Sequence, residues 1–141
     1  MILVDTGFLY ALLDKNDAWH TRALAASKAI NEGWVTTWPV LTETVHLIGR
    51  WLGQDPAQAL MSDVADGAIT VWDIPKRDLP LLVDYMHSYS DLPMDLADGS
   101  LLLLAHNMNH GRIFTTDERD FNAYRWKNSK PFENLLLNFS A

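Results

Sequence analysis

Short apolar segments alternate with longer segments of helical periodicity along the chain, and this alternation constrains the possible fold more than any other feature. The segments that indicate β-strands are MILV (1–4), WVTTW (34–38), AITVWDI (68–74) and RIFTT (112–116), and FENLLLNFS (132–140) contains a last short one. The first segment is wholly apolar, which is typical of a strand that is buried on both faces of a parallel sheet. The sequence therefore predicts an α/β fold, a three-layer α/β/α sandwich with a central parallel β-sheet.

The segments between the strands carry the start and stop signals of helices. Asp17 is predicted to cap one helix and Asp55 another. Pro39 is predicted to open the helix after the second strand, because the first turn of a helix tolerates proline. A further helix is predicted to start near Asp95, whereas DERDFNAYRW (117–126) is predicted to be a loop.

The composition excludes several classes of protein. A length of 141 residues suits one compact domain, and the absence of cysteine excludes disulfide bonds, thiolate metal sites and cysteine nucleophiles. No apolar run approaches the roughly 20 residues of a membrane-spanning helix, and no signal segment is visible, so we expect a cytoplasmic protein without membrane contact. The net charge of −7 means that any contact with nucleic acid would need a local source of positive charge.

The triplet Asp5-Thr6-Gly7 also spells the active-site signature of aspartic proteases. Those enzymes are all-β proteins in which two such loops share one proton, whereas here a single copy runs into a helical pattern. Only a homodimer could complete such a dyad. A homodimeric aspartic protease is therefore kept as one alternative function.

Acidic residues recur where strands end or where the following helices begin. Asp5 ends the first strand, Glu43 lies just over one turn into the helix after the second, and Asp117 directly follows the fourth. Asp95 and Asp98 lie at the start of a further helix. Because ligands of open α/β sheets bind outside the carboxyl ends of the strands, we expect these carboxylates to converge at that edge.

Several carboxylates in one place repel one another and raise the pKa of their neighbours. A divalent cation removes this repulsion, and sites made only of oxygen ligands favour Mg²⁺ or Mn²⁺. Such a cation can also bind phosphate oxygens and assist the attack of water on phosphorus. The acidic set therefore predicts a metal-dependent site for a phosphate ester, and the cation would supply the positive charge that attracts a nucleic acid.

Four blocks of the sequence together resemble the PIN-domain family, and within it the VapC-type toxin ribonucleases. The blocks are ILVDTGFLYALLDKND (2–17), WPVLTETVHLI (38–48), DLPMDLADGSLLLLAH (91–106) and RIFTTDERDF (112–121), and they follow the family's order at similar spacing. The resemblance implies one PIN-like nuclease domain over residues 1–141 and endonucleolytic cleavage of single-stranded RNA. It also implies two protein partners, a cognate antitoxin and a second copy of the chain in a homodimer.

The resemblance also implies roles for individual residues. The residues that match the family's catalytic, Mg²⁺- or Mn²⁺-binding quartet are Asp5, Glu43, Asp98 and Asp117, and the supporting positions are Thr6, Asp95, Thr115 and Asp120. Arg119 and Arg125 are candidates for RNA contacts. Gly99 departs from the pattern, since the family more often has alanine at that position.

Each of these residues also has a purely structural interpretation. Asp5 could cap the first helix, Asp95 could cap a later one, and Asp117 could start the turn after a strand. Glu43 could be an exposed helix residue, and the arginines could belong to an ordinary solvated surface. The corresponding alternative function is a catalytically inactive PIN-fold module that binds RNA or protein.

Overall fold

A five-stranded parallel sheet forms the centre of the computed structural model, which describes residues 1–140. In spatial order its strands are β3 (Ile69–Trp72), β2 (Trp34–Thr37), β1 (Ile2–Val4), β4 (Arg112–Phe114) and β7 (Glu133–Asn134). Two further strands, β5 (Arg125–Trp126) and β6 (Lys130–Pro131), form a separate antiparallel pair. Ala141, the last residue of the expected domain, lies outside the described residues.

Helices fill most connections between the strands. They are α1 (Thr6–Leu13), α2 (His20–Ala29), α3 (Trp38–Trp51), α4 (Gln54–Ala65), α5 (Leu79–Ser88), α6 (Leu96–Met108) and α7 (Glu118–Ala123), and 3-10 turns cover Lys76–Asp78 and Leu135–Asn138. Pro39 lies in the first turn of α3, as predicted. The predicted fold class, a parallel sheet between layers of helices, is confirmed.

The order of the strands reverses at one point of the sheet. From β1 the chain moves outward to β2 and β3 through α1 to α4, and it then returns through α5 and α6 to β4 on the other side of β1. Because crossovers between parallel strands are right-handed, the outward and the returning helices cover opposite faces. The carboxyl ends of β1 and β4 therefore flank a crevice, which is where open α/β sheets bind their ligands.

Side chains of β1, β4 and α6 form the centre of the hydrophobic core. The ranges Ile2–Val4 and Leu101–Ala105 are buried throughout. Phe8 of α1 stacks on Phe114 of β4 with the ring centroids 4.7 Å apart. Burial of this apolar surface, at about 25 cal/mol per Å², stabilises the strands that carry the site. Among the described residues no helix is both long and apolar enough to cross a membrane.

Two predicted caps and one predicted loop were wrong. Asp17 does not cap α2, because its carboxylate accepts a hydrogen bond from Trp19 N at 2.8 Å in the turn before the helix. Asp55 does not cap α4 either, since it already lies in the first turn of that helix. The predicted loop 117–126 contains α7 and β5, and Asp117 is the N-cap of this short helix.

Gly99 allows two helices to approach closely. It is buried in the first turn of α6, and a Cβ at this position would lie 2.7 Å from Leu82 Cδ1 of α5. Glycine weakens a helix interior by about 1 kcal/mol relative to alanine, and close packing against α5 offsets that cost. The departure from the family's alanine therefore has a packing explanation.

Candidate active site

An acidic cleft of about 340 Å³ opens at the crevice between β1 and β4. The acidic residues that line it are Asp5, Glu43, Asp95, Asp98, Asp117 and Asp120. Two other recesses, of about 500 and 600 Å³, are larger, but the cleft is the place where all six acids meet. Residues that are far apart in the sequence thus share one cavity, as the strand-end argument predicted.

Each residue of the triplet Asp5-Thr6-Gly7 contributes separately to the cleft. Asp5 is buried and caps α1, because its Oδ1 accepts a hydrogen bond from Phe8 N at 2.9 Å. Thr6 donates its hydroxyl to a backbone carbonyl of α3 at 3.3 Å and so holds α1 against that helix. A Cβ at Gly7 would collide with the Thr116 hydroxyl. The triplet leads directly into a helix of an α/β fold, which excludes the aspartic-protease alternative.

Asp98, Asp117 and Asp120 form the closest group of acids. One carboxylate oxygen of each lies within 4.8 Å of the others. The Asp117 carboxylate caps α7 by accepting a hydrogen bond from Asp120 N at 3.1 Å, and this helix start brings both aspartates to the cleft. Within residues 1–140 this is the one group of three or more potential metal-ligating side chains with such spacing.

Two different contacts hold Asp98 in the cleft. Asp95 is the N-cap of α6, and its Oδ1 accepts a hydrogen bond from Asp98 N at 2.8 Å. The side chain of Asp98 accepts a second hydrogen bond, from the Tyr124 hydroxyl to Oδ2 at 2.9 Å. Asp95 therefore orients the backbone at this position, while Asp98 enters the close group of acids.

Glu43 and Asp95 form the outer wall of the cleft. Both are exposed, and neither belongs to the close group of three acids. They also border an adjoining, mainly apolar recess that includes the exposed ring of Trp38. The six acids therefore divide into three sets. The close group of three lies in the cleft, the buried Asp5 lies beside it at the end of β1, and Glu43 and Asp95 face solvent.

A hydrogen-bond network behind the cleft connects Asp5, Asp117 and the tail of the chain. The buried Thr115 donates its hydroxyl to Asp5 Oδ2, and the same hydroxyl accepts a hydrogen bond from Asp117 N at 3.0 Å. Asn134 of β7 donates its Nδ2 to Thr115 O at 3.0 Å and accepts from Thr115 N at 3.3 Å. One threonine thus holds the Asp5 carboxylate and the Asp117 backbone, and Asn134 fixes the backbone of that threonine in turn.

Burial and mutual repulsion change the acidity of the inner carboxylates. Burial is the main cause that raises the pKa of Asp5 to about 6, and Asp117 and Glu43 raise it further. Burial also raises the pKa of Asp98 to about 7, with a further contribution from Asp95. The pKa of Asp117 is raised by burial as well. Burial, with a smaller contribution from neighbouring acids, thus disfavours the charged forms of these carboxylates, and a bound cation would favour them.

The two arginines predicted for RNA contacts have different surroundings. Arg119 is exposed and forms a salt bridge from Nε to Asp120 Oδ1 at 3.1 Å, the one cation paired with these acids within residues 1–140. Arg125 donates its Nη1 to the carbonyl oxygens of Asn122 and Tyr124 at 2.8 and 2.9 Å. Arg125 therefore stabilises the end of α7, and its contact with RNA stays a prediction.

Sequence reasoning missed two residues that hold the acids. Tyr124 and Asn134 contact Asp98 and Thr115 across 26 and 19 positions of the chain. The only signal in the sequence was that Tyr124 closely follows the fourth acidic block. The structural interpretations of Asp5 and Asp95 as helix caps and of Glu43 as an exposed helix residue were also correct, and all three line the cleft as well. Asp117 caps α7 instead of starting a turn.

A model of the PIN domain matches residues 2–127, which includes all six acids of the cleft. The chain belongs to the PIN domain family. Ribonuclease VapC26 of Mycobacterium tuberculosis is 23% identical over 124 residues, which span 88% of this chain and 92% of that relative. These matches confirm the resemblance that the four sequence blocks indicated.

A solved structure of a related protein has the same fold. The crystal structure of Mycobacterium tuberculosis VapC20, a toxin that cleaves the sarcin-ricin loop, superposes with a TM-score of 0.77. It shares 19% sequence identity with this PIN domain, and the match covers 84% of this chain and 92% of VapC20. At this level of identity the likeness establishes the fold alone.

Proposed function

We propose that this PIN domain is a metal-dependent endoribonuclease that cleaves single-stranded segments of RNA. The observation that carries the proposal is the group of carboxylate oxygens from Asp98, Asp117 and Asp120 within 4.8 Å of one another. Carboxylates at such spacing repel one another, and a divalent cation bound between them would remove the repulsion and assist the attack of water on phosphorus. The ribonuclease activity of the relative VapC26 supports the same reaction class.

The donor set of the cleft fits a hard divalent cation. All the candidate ligands are carboxylate oxygens, and neither histidine nor cysteine belongs to the close group. Such oxygen sites favour Mg²⁺ or Mn²⁺ over softer metals. Asp98, Asp117 and Asp120 would hold the cation, with Asp5 and Glu43 adjoining it. When bound, the cation supplies the charge neutralisation and Lewis acidity that hydrolysis of a phosphodiester needs.

The protein's own residues position the acids and leave a path for the substrate. Thr115 fixes the Asp5 carboxylate from behind, so its orientation does not change when a substrate enters. Thr116 and Gly7 line the cleft without bulk, which leaves space for a phosphate group. Glu43, on the exposed wall, can accept a hydrogen bond from a water molecule that enters from solvent. These placements suit the in-line attack of water on phosphorus, with products that carry 5′-phosphate and 3′-hydroxyl ends.

We also propose that the chain acts as the toxin of a toxin–antitoxin pair and forms a homodimer. The support is membership of the PIN domain family together with the VapC names of the relatives. Structured RNA is a plausible substrate class, since VapC20 is described as cleaving a defined loop. Light scattering of the purified protein, alone and co-expressed with a small protein encoded beside it, tests both partner proposals.

The test of the function is cleavage of an RNA panel by wild type, Asp117→Asn and Glu118→Gln. Glu118 is exposed and next to Asp117, so its variant is a matched control for the loss of one negative charge. We expect cleavage by wild type and Glu118→Gln with Mg²⁺ or Mn²⁺, and a loss of at least about 100-fold in Asp117→Asn or in EDTA. Sequencing of the RNA ends identifies the cut sites.

Undiminished cleavage by Asp117→Asn, or in EDTA, contradicts the proposed mechanism. A preparation that neither cleaves RNA nor binds Mn²⁺ in calorimetry indicates the alternative function, a PIN-fold module without catalysis. Calorimetry distinguishes a wrong mechanism from an inactive module, because it measures binding of the cation in the absence of RNA.

A further inference from the structure

We propose that Tyr124 is a positioning residue that fixes the Asp98 carboxylate for the cation of the cleft. The inference rests on the proposed metal-dependent function. Tyr124 is completely buried, and its hydroxyl donates a hydrogen bond to Asp98 Oδ2 at 2.9 Å. Neither the sequence blocks nor the acidic quartet includes this tyrosine.

The contact leaves one oxygen of Asp98 available for a cation. A carboxylate on a short side chain can rotate, and each orientation offers the cleft a different oxygen. The hydrogen bond from Tyr124 engages Oδ2, while the backbone N–H of Asp98 is occupied by Asp95. Both the helix start and the side chain are therefore fixed before any cation enters. Ligating carboxylates usually have such hydrogen-bonded partners, which orient them and tune their affinity for the metal.

The tyrosine ring is itself held rigidly. It packs edge-to-face on Tyr89, with centroids 5.0 Å apart, and on Phe121, with centroids 5.1 Å apart. Its backbone N–H donates to Asp120 O at 2.9 Å. The hydroxyl therefore has little freedom to follow a moving carboxylate, and Asp98 must adopt the orientation that Tyr124 sets.

The position of Tyr124 also links two elements that carry acids of the close group. It is the C-cap of α7, the helix that begins at Asp117 and includes Asp120, while Asp98 lies on α6. A single hydroxyl thus fixes α7 relative to α6 at the point where the carboxylates meet. Removal of the hydroxyl should loosen the spacing of the group without removing any ligand.

The experiment compares Tyr124→Phe with Tyr89→Phe. Tyr89 belongs to the same aromatic cluster, and its hydroxyl accepts a hydrogen bond from Arg125 N at 2.8 Å instead of donating to an acid. Both variants lose one hydroxyl from the same region, so they match in bulk and chemistry. Mn²⁺ affinity is measured by titration calorimetry, and thermal unfolding in EDTA reports the stability of each variant without metal.

We expect Tyr124→Phe to weaken Mn²⁺ binding by about 10-fold or more, the usual effect of losing a partner of a metal ligand. Tyr89→Phe should bind Mn²⁺ like wild type. RNA cleavage by Tyr124→Phe should be low at limiting Mn²⁺ and should recover when Mn²⁺ is in excess, because every ligand is still present.

Equal Mn²⁺ affinity of Tyr124→Phe and wild type would overturn the inference while leaving the proposed function intact. So would an equal loss of affinity in the two variants, or failure of Tyr124→Phe to fold, because either result assigns the hydroxyl a general structural role. If wild type itself binds no Mn²⁺, both the proposed function and this inference fail.

Discussion

Charged residues lie at or near both ends of strand β4. They are paired with opposite charge at the amino end, whereas acids cluster together beyond the carboxyl end. At the amino end, Arg112 forms a bidentate salt bridge with Glu32, with N–O distances of 2.7 and 2.8 Å. Just beyond the carboxyl end, Asp117 lies close to Asp98 and Asp120, and among the described residues Arg119 is the one cation that forms a salt bridge with this group. One edge of the sheet is neutralised within the chain, whereas the other gathers like charge.

The acidity of the side chains shows the same contrast. The hydrogen bond from Arg112 lowers the pKa of Glu32, so that carboxylate is stable in its charged form. Burial raises the pKa of Asp98 to about 7, so that carboxylate resists ionisation near neutral pH. Charge is thus fully paired at the amino end of β4 and only partly paired beyond its carboxyl end, where the proposed cation would neutralise the remainder.

The largest expected effect is a pH dependence of stability that a cation reverses. Burial raises the pKa of Asp5 to about 6 and that of Asp98 to about 7 in the folded protein, above the usual aspartate value of 3.8. Their protonated forms favour the folded state, so their stabilising effect is lost as the pH rises through these values. For the buried Asp5 the full difference amounts to about 3 kcal/mol, and it is lost as the pH rises from about 4 to about 6, before that of Asp98.

Thermal unfolding in EDTA at pH 5, pH 6 and pH 8 measures this effect. We expect a lower unfolding temperature at pH 8 in EDTA, and recovery at pH 8 when Mn²⁺ is added. The variant Asp98→Asn, which cannot ionise, should show a weaker dependence on pH. An unfolding temperature that rises from pH 6 to pH 8 without metal would contradict the charge contrast between the two ends of β4.

A smaller effect is expected from Asn134→Ala. This change removes the side-chain hydrogen bonds to the Thr115 backbone, and leaves buried polar groups unpaired at a cost of about 1–3 kcal/mol. The loss should reach the cleft, because Thr115 holds Asp5 and Asp117. RNA cleavage and thermal unfolding are measured against Asn138→Ala, an exposed asparagine of the same tail. Equal cleavage rates and equal unfolding temperatures of the two variants would mean that Asn134 does not support the acidic cleft.

The smallest effect on stability and cleavage is expected from a change at the amino end of β4, where Arg112 pairs with Glu32. Arg112→Gln removes a salt bridge whose side chains are each 37% exposed, and such surface pairs contribute little to stability in water. We therefore expect an almost unchanged unfolding temperature and full RNA cleavage. A loss of cleavage comparable to that of Asn134→Ala would mean that the two edges are coupled.

The sequence predicted the sheet and the convergence of the acids because both depend on periodic or repeated features. Asp5 and Asp117 follow apolar strands, and parallel strands bring their ends to one edge whatever the connections contain. The helix α7 was missed, since it spans only Glu118–Ala123 and has no apolar period that could distinguish it from a loop. The resemblance implied only a supporting role for Asp120, although it belongs to the close group of acids.

Contacts between distant residues were beyond the reach of local patterns. Nothing near Tyr124 in the sequence indicates that its hydroxyl meets Asp98, because that contact depends on how α7 packs against α6. Gly99 illustrates the same limit, since its short distance to Leu82 exists only once α5 is in place. The metal, the RNA and the partner proteins stay predictions that the experiments above test.

The pair of hydrogen bonds between the Asn134 side chain and the Thr115 backbone has a consequence for biosynthesis. Every acid of the cleft precedes residue 121, yet the network that steadies two of them is closed only by a side chain that the ribosome adds later. Domains generally fold as units, so a nascent chain that ends before Asn134 would carry all the acids but neither this hydrogen bond nor the last strand of the sheet. The geometry of the acidic cleft is therefore completed only when the last residues of the sheet have been synthesised.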